Sequence, residues 1–179
     1  MPATLERITD EQLMQLPEDG FKHEYVDGKV TDVPTGGPHG DIAATIIALL
    51  IGAGLKRFGR VLDSGVGCRM RSGNLRCPDV SFIRKENLPD GRVPEGFLER
   101  APDLCIEVIS PSEDRQDALR KVEEYLDSGA QEVWRVFMES QRVVVYRSFD
   151  DVHTFEGDQE LASPDLLPGF RCTVAEIFA

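Results

Sequence analysis

Cysteine, histidine and tryptophan are scarce in this chain of 179 residues, which contains 4, 3 and 1 of them, respectively. The four cysteines, Cys68, Cys77, Cys105 and Cys172, include no C-x-x-C pair. Cys77 and Cys105 also fall within apolar segments typical of strands, where a reduced thiol packs as a small hydrophobic side chain. We therefore predict no zinc site and a structural packing role for all four thiols.

Long hydrophobic segments are also missing. The longest apolar run extends from Ile42 to Ala53 and is interrupted by Thr45, whereas a helix needs roughly 20 apolar residues to cross a bilayer. The first residues show no basic segment followed by an apolar core, so a secretory signal peptide is not predicted. We expect a protein without a membrane span and with a cytoplasmic location.

Positive charge is in deficit overall, with 20 Lys and Arg against 32 Asp and Glu and a formal net charge of -12. This balance argues against a protein that holds nucleic acid by general electrostatic attraction. The distribution is uneven, because residues 56–85 contain eight basic and two acidic side chains, while residues 148–179 contain one basic and seven acidic ones. The basic segment is either a surface that attracts a polyanion or an ordinary solvated face, and both interpretations stay open.

The chain is long enough to form one domain with a real core, and 41% of its residues are hydrophobic and 29% charged. No internal repeat, low-complexity tract or linker is visible, so we predict a single domain over residues 1–179. The hydrophobic pattern predicts a mixed α/β (α+β) fold. Its predicted helices cover residues 8–14, 40–58, 113–128 and 173–178, and its strands residues 21–26, 29–33, 60–64, 67–71, 75–83, 104–109, 132–137 and 142–147.

Two carboxylates are of special interest because each lies in a segment that should be buried. Asp79 directly follows Pro78, and a proline removes one backbone donor, as happens at a strand end or a bulge near a site. Glu107 lies in the middle of the apolar strand over residues 104–109, among apolar neighbours on its own face. A buried ionised carboxylate needs a proton, a cation or a metal as its partner. If the two strands are neighbours, one divalent cation satisfies both carboxylates.

Three further residues are candidates with ordinary alternatives. Lys121 borders the inner side of its predicted helix, where it either reaches the site or forms a common ion pair with Asp117. Glu24 lies on a hairpin strand, where an exposed acidic side chain is ordinary. His39 immediately precedes a predicted helix and is either functional or a loop or capping residue.

A series of short motifs extends over nearly the whole chain. They are Tyr25-Val26-Asp27-Gly28, His39, Arg76-Cys77-Pro78-Asp79, Glu107-Val108-Ile109-Ser110-Pro111-Ser112, Asp117, Lys121, Tyr125, Gly129, Trp134 and Leu167-Pro168-Gly169-Phe170. In this order and spacing they resemble the Uma-type restriction endonuclease family, which belongs to the PD-(D/E)XK nuclease-like superfamily. The resemblance extends from about Ile8 to Phe178, and no single motif carries it alone.

The resemblance implies a restriction-endonuclease-like fold, in which an N-terminal β-hairpin accompanies a mixed central sheet flanked by helices. It implies that Asp79 and Glu107 are ligands of Mg²⁺ or a similar hard cation such as Mn²⁺. Our own hypothesis for Glu24 is that it completes this coordination or binds a second cation. The family pattern places a lysine at Lys121, and we predict that Lys121 stabilises developing charge or orients the attacking water. We also predict a catalytic role for His39, which contacts phosphate or transfers a proton. The implied substrate is nucleic acid, with DNA as the first expectation.

Two departures from the family pattern bear on activity. Ile109 stands where the superfamily has its lysine, so Lys121 must supply the ammonium group from the following helix. Phe137-Met138 replaces an Asp-Pro pair. The sequence thus leaves open a metal-dependent endonuclease, a non-catalytic binding or regulatory module of the same fold, and a hydrolase of another phosphorylated substrate. An exposed edge in the hairpin over residues 132–147 also suggests a homodimer.

Overall fold

A mixed β-sheet of six strands forms the centre of the protein in the computed structural model, which describes residues 8–15, 22–33, 36–110 and 115–179. In chain order the helices and strands are α1 (Asp10–Met14), β1 (Lys22–Val26), β2 (Lys29–Val33), α2 (Gly37–Gly52), β3 (Gly59–Asp63), β4 (Cys68–Arg69), β5 (Leu75–Arg76), β6 (Val80–Arg84), β7 (Leu104–Ile109), α3 (Arg115–Asp127), β8 (Glu132–Phe137), β9 (Arg142–Tyr146), β10 (Val152–Glu156), β11 (Glu160–Ala162), β12 (Arg171–Thr173) and α4 (Val174–Ile177).

The central sheet has the strand order β10-β9-β8-β7-β6-β3. Only β7 and β8 run parallel within it, and all its other neighbours are antiparallel. A smaller sheet has the order β2-β1-β5-β4, and β11 pairs with β12. This mixed architecture confirms the predicted fold class. Among the described residues, no helix is both long and apolar enough to cross a membrane.

The two long helices cover opposite faces of the central sheet. Leu50 of α2 belongs to the apolar cluster that includes Ile106 of β7, whereas Val122 of α3 belongs to the cluster that includes Cys105. Successive side chains of a strand point to opposite faces. Glu107 therefore lies on the same face as Cys105, beneath α3.

The N-terminal hairpin follows the prediction closely. Asp27 and Gly28 form its turn with φ values of 50° and 82°, because a two-residue turn that fits the twist of the strands needs positive φ at both positions. Thr9 and Gln12 form a capping box at the start of α1. The predictions for Phe21, for the loop at Thr35 and for residues 111–114 lie outside the described residues.

The strand predicted over residues 75–83 is interrupted. Pro78 has no N–H to donate to a ladder, and the segment divides into β5 of the small sheet and β6 of the central sheet. The helix predicted to begin at Gly40 instead begins at Gly37, since Pro38 is tolerated in a first turn. His39 consequently lies inside the first turn of α2, and its placement before the helix is wrong.

The pattern missed three short strands, β10, β11 and β12. Strand β10 is largely exposed and pairs with β9. The predicted free edge in the hairpin over residues 132–147 is therefore wrong, because β10 covers it and becomes the edge strand itself.

Candidate active site

Asp79 lies in the segment that connects the small sheet to the central sheet, and three donors surround its carboxylate. Its Oδ2 accepts a hydrogen bond from the backbone N–H of Val108 at 2.8 Å and lies 3.0 Å from Nε2 of His39. Its Oδ1 accepts a hydrogen bond from Nζ of Lys22 at 2.9 Å. Only 4% of the side chain is exposed. The break at Pro78 thus places a carboxylate inside the protein rather than on a solvated strand.

Glu107 approaches the same region from the neighbouring strand. Val80 of β6 pairs with Ile106 of β7, so Asp79, just before Val80, lies beside Glu107, just after Ile106. The hydroxyl group of Tyr125 donates a hydrogen bond to Oε1 of Glu107 at 2.5 Å. The two acidic residues that the sequence places in apolar segments therefore lie on adjacent strands.

Glu24 joins this cluster from β1, because β1 pairs with β5 of the small sheet. Its Oε1 accepts a hydrogen bond from the backbone N–H of Cys77 at 3.1 Å, and its Oε2 accepts one from the guanidinium of Arg76 at 3.0 Å. The side chain is 2% exposed. The alternative of an ordinary exposed acid on a hairpin strand is therefore wrong for Glu24.

Lys121 connects the acidic residues to α3. Its Nζ lies 3.5 Å from Oε2 of Glu107 and 3.6 Å from Oε2 of Glu24. Tyr125 follows four residues later, on the same side of the helix. One helical stripe thus supplies both the ammonium group and the hydroxyl group that hold Glu107.

Lys22 is one site residue that sequence reasoning missed. Its ammonium group lies beside Asp79, and its side chain is 7% exposed. The available signal was its position two residues before Glu24, since strand alternation places both on one face. A lysine near a glutamate is also the ordinary pattern of a solvated strand, so this signal alone could not distinguish the two.

Arg76, which holds Glu24, is itself held by Glu124, and Glu124 is held by Asn74; sequence reasoning assigned neither of these two residues to the site. Arg76 donates from Nε to Oε2 of Glu124 at 2.6 Å, and Asn74 donates to the other oxygen of Glu124 at 2.5 Å. Arg76 was counted in the basic segment over residues 56–85, but it is buried between two carboxylates. It adds nothing to a basic surface.

The surroundings of the three carboxylates shift their pKa values in different directions. Burial opposes the ionisation of Asp79, but the hydrogen bond from His39 and the charge of Lys22 outweigh burial and hold its pKa well below the usual range. Burial likewise opposes the ionisation of Glu24, and the charge of Lys121 leads the effects that lower its pKa. Burial raises the pKa of Glu107, and the nearby carboxylates add to this effect.

The cluster has the right donor chemistry for a hard divalent cation, because three carboxylates supply only oxygen ligands. In the present arrangement, however, the ammonium groups of Lys22 and Lys121 lie against those oxygens. Within the described part of the chain, no set of three His, Cys, Asp or Glu side chains is arranged to hold a metal ion. The donor chemistry of the cluster thus suits a hard cation, whereas its present side-chain arrangement pairs the carboxylates with ammonium groups.

Two cavities lead to the cluster. His39 and Asp79 line one of about 210 Å³, and Lys22 lines another of about 220 Å³. Ser64, in the turn after β3, lines both cavities. Asp79 therefore borders one cavity and Lys22 the other, and Ser64 is common to both.

The chain is similar in fold to a solved structure, described as the crystal structure of a putative nuclease belonging to DUF820 from Anabaena variabilis ATCC 29413. The two share 24% sequence identity with a TM-score of 0.80, over 96% of this chain and 97% of that chain. None of the curated proteins matches this sequence. Residues 10–175 match the Uma2 family, whose description is putative restriction endonuclease. Since the match covers most of the sequence, the chain belongs to the Uma2 family.

Proposed function

We propose that this protein is a metal-dependent nuclease that hydrolyses phosphodiester bonds of nucleic acid, with DNA as the first expected substrate. The observation that carries the proposal is the convergence of Asp79 and Glu107 from adjacent strands, with Lys121 against Glu107. The description of the Uma2 family as restriction endonucleases supports a nuclease in general.

Asp79 and Glu107 are the proposed ligands of Mg²⁺ or Mn²⁺. Glu24 is the third carboxylate of the cluster, and it acts on the charge of Lys22 together with the other two. When bound, such a cation supplies Lewis acidity toward a phosphate oxygen and lowers the pKa of a water molecule from its bulk value of about 15.7 toward neutrality. Burial of the carboxylates excludes competing water, which strengthens their electrostatic interactions with a cation.

The remaining residues have roles that follow from their positions. The ammonium group of Lys121 stabilises negative charge that develops on the phosphate. Ile109, which stands where the superfamily has its lysine, has no charged group for this role. The hydroxyl group of Tyr125 orients Glu107. His39 lines a cavity beside Asp79, where an imidazole can contact a phosphate or transfer a proton near neutral pH.

A second function is favoured by a separate observation. All three carboxylates already have internal cations as partners. In addition, Phe137, at a family position for aspartate, packs against the guanidinium of Arg135, with 4.9 Å between its ring centroid and Cζ. These contacts suit a binding or regulatory module that keeps the fold without the chemistry.

The two functions are separated by incubating the purified protein with supercoiled plasmid and with labelled single- and double-stranded oligonucleotides, in Mg²⁺, in Mn²⁺ and in EDTA. We expect metal-dependent cleavage that is lost in Asp79→Ala and kept in Asp150→Ala, an exposed control. Absence of cleavage in a natively folded wild type would contradict the nuclease and favour the binding module or another phosphorylated substrate.

Three further properties stay predictions from the sequence: a single domain over residues 1–179, a cytoplasmic location and a homodimer. The structure changes the argument for the last one. Strand β10, rather than β9, presents the edge of the central sheet at this end, so it is the strand whose backbone groups are available for pairing with a second copy.

A further inference from the structure

Lys22 is the ammonium group that forms a hydrogen bond with Asp79, and it is buried in the carboxylate cluster. Burial disfavours its positive charge, but the three carboxylates, with Glu107 first, outweigh burial and raise the pKa of Lys22 above its ordinary value. Its Nζ lies 2.9 Å from Oδ1 of Asp79. A metal ion bound by the carboxylate of Asp79 would lie in the same place as this ammonium group.

The charges of the cluster indicate that Lys22 and a divalent cation compete. Each charged side chain in it is at most 11% exposed. The carboxylates are Glu24, Asp79, Glu107 and Glu124, and the cations are Lys22, Arg76 and Lys121. Whatever the total, adding a divalent cation raises the charge of this buried region by two, whereas exchanging Lys22 for the cation raises it by only one.

We propose that Lys22 is a displaceable internal counter-ion: its ammonium group holds Asp79 in the metal-free protein and leaves it when a divalent cation binds, so that Lys22 weakens and thereby sets the metal affinity. This inference rests on the proposed function, because it takes Asp79 and Glu107 as the metal ligands.

The fold provides a place for the displaced group. Lys22 lines the cavity of about 220 Å³ that also contacts Ser64 and Cys77. The backbone of β1 is held by pairing with β2 and β5, so only the flexible four-carbon stem of Lys22 has to move. The ammonium group can then meet the solvent that enters the cavity.

Lys121 is less suited than Lys22 to be displaced by a metal ion. Its Nζ lies between Glu107 and Glu24, at 3.5 and 3.6 Å, and is held by two charges at once. Glu107 and Glu24 also act on the charge of Lys22, but its hydrogen bond is to Oδ1 of Asp79 alone, at 2.9 Å. Loss of that one bond frees an oxygen of Asp79.

The test is the binding of Mn²⁺ and of Mg²⁺, measured by titration calorimetry, to the wild type, Lys22→Met and Lys29→Met. Lys29 is an exposed lysine of the same hairpin and serves as the control for a change in overall charge. We expect Lys22→Met to bind the cations about tenfold or more tightly than the wild type, because the cation no longer has to displace a charge-assisted hydrogen bond, and Lys29→Met to bind them with unchanged affinity. Without metal, the melting temperature of Lys22→Met is expected to fall by about 5 °C or more, because Asp79 loses the buried ammonium group that pairs with its Oδ1.

The possible results are distinguishable. Equal or weaker binding by Lys22→Met, beside saturable binding by the wild type, overturns the inference about Lys22 and leaves the proposed function standing. No saturable binding by any folded variant overturns the metal site, and with it both proposals.

If Lys22→Met does not fold, a crystal structure of the wild type with Mn²⁺ decides the matter. Separation of the ammonium group of Lys22 from Asp79 beyond hydrogen-bond distance supports the inference. A retained hydrogen bond beside a bound cation contradicts it.

Discussion

The backbone N–H of Val108 donates a hydrogen bond to Oδ2 of Asp79 at 2.8 Å. Val108 directly follows Glu107, so this bond ties the first carboxylate to the strand that carries the second one. The relative position of the two carboxylates is thereby set by a paired strand rather than by flexible side chains. A site that depends on rigid elements holds its geometry more precisely than one that depends on loops.

The hydrogen bond from Tyr125 to Glu107 is expected to contribute to stability. Tyr125→Phe leaves a buried carboxylate without one of its donors, so the free energy of unfolding should fall by about 1.5–3 kcal/mol. Urea denaturation measures this change. Tyr25→Phe is the control, since Tyr25 is also buried but its hydroxyl group forms no hydrogen bond within the part of the chain that the structure describes. Equal losses in the two variants would show that the hydroxyl of Tyr125 has no special role.

The buried ion pair of Glu24 predicts a larger loss. Glu24→Gln keeps the shape of the side chain but removes the negative charge that faces Arg76 and Lys121. We expect the free energy of unfolding to fall by about 3 kcal/mol, since each cation then loses one of its buried partners. Glu156→Gln breaks the exposed pair with Arg142 and is expected to cost less than about 0.5 kcal/mol. A loss in Glu24→Gln as small as that of the control contradicts the buried network.

Lys121 is predicted to serve the reaction more than the binding of metal. In Lys121→Met, kcat for plasmid cleavage should fall by about 100-fold or more, as is usual for loss of a group that stabilises charge in the transition state. The metal dissociation constant, from calorimetry, should change much less. Lys29→Met, at an exposed lysine outside the basic segment, is expected to leave both quantities unchanged. If metal affinity falls while turnover is kept, Lys121 is a structural partner of Glu107.

The four thiols are predicted to be unreactive in the native protein. All four are buried and none is in a disulfide. Burial raises the pKa of Cys77 and of Cys172 to about 12, and that of Cys68 and Cys105 well above the ordinary value. At pH 8 a chromogenic disulfide reagent should label none of them before unfolding and all four after it. Rapid labelling of the folded protein would contradict the packing role.

The same pKa shifts give stability a pH dependence of defined sign. The folded protein keeps its thiols protonated, whereas the unfolded chain begins to lose these protons near about pH 8.5. The contribution is therefore fully present below that pH and is lost as the pH rises toward the folded-state pKa. We expect the free energy of unfolding to decline above about pH 8.5, and to decline less steeply in Cys172→Ala. Identical slopes for the two proteins would contradict the prediction for Cys172.

Local patterns were sufficient for the elements whose environment is uniform. Strand β7 is buried on both faces, so its apolar run predicts its bounds to the residue. The Asp27-Gly28 turn has a backbone requirement that few dipeptides meet. Strand β10 has no such signal, because both of its faces are largely exposed. The division between β5 and β6 also depends on which sheet each half joins, and Pro78 marks the break without choosing the partners.

For the candidate site, the sequence by itself determined which acidic residues lie in segments that are expected to be buried. Asp79 and Glu107 lie in apolar segments, and a buried carboxylate must have a partner. Only the tertiary structure decided what those partners are. Lys22 and Arg76 read as ordinary surface cations along the chain, and they become buried because the hairpin pairs with β5 and brings β1 against the central sheet and α3. Contacts between distant segments depend on how sheets and helices pack, and no local pattern of residues contains that information.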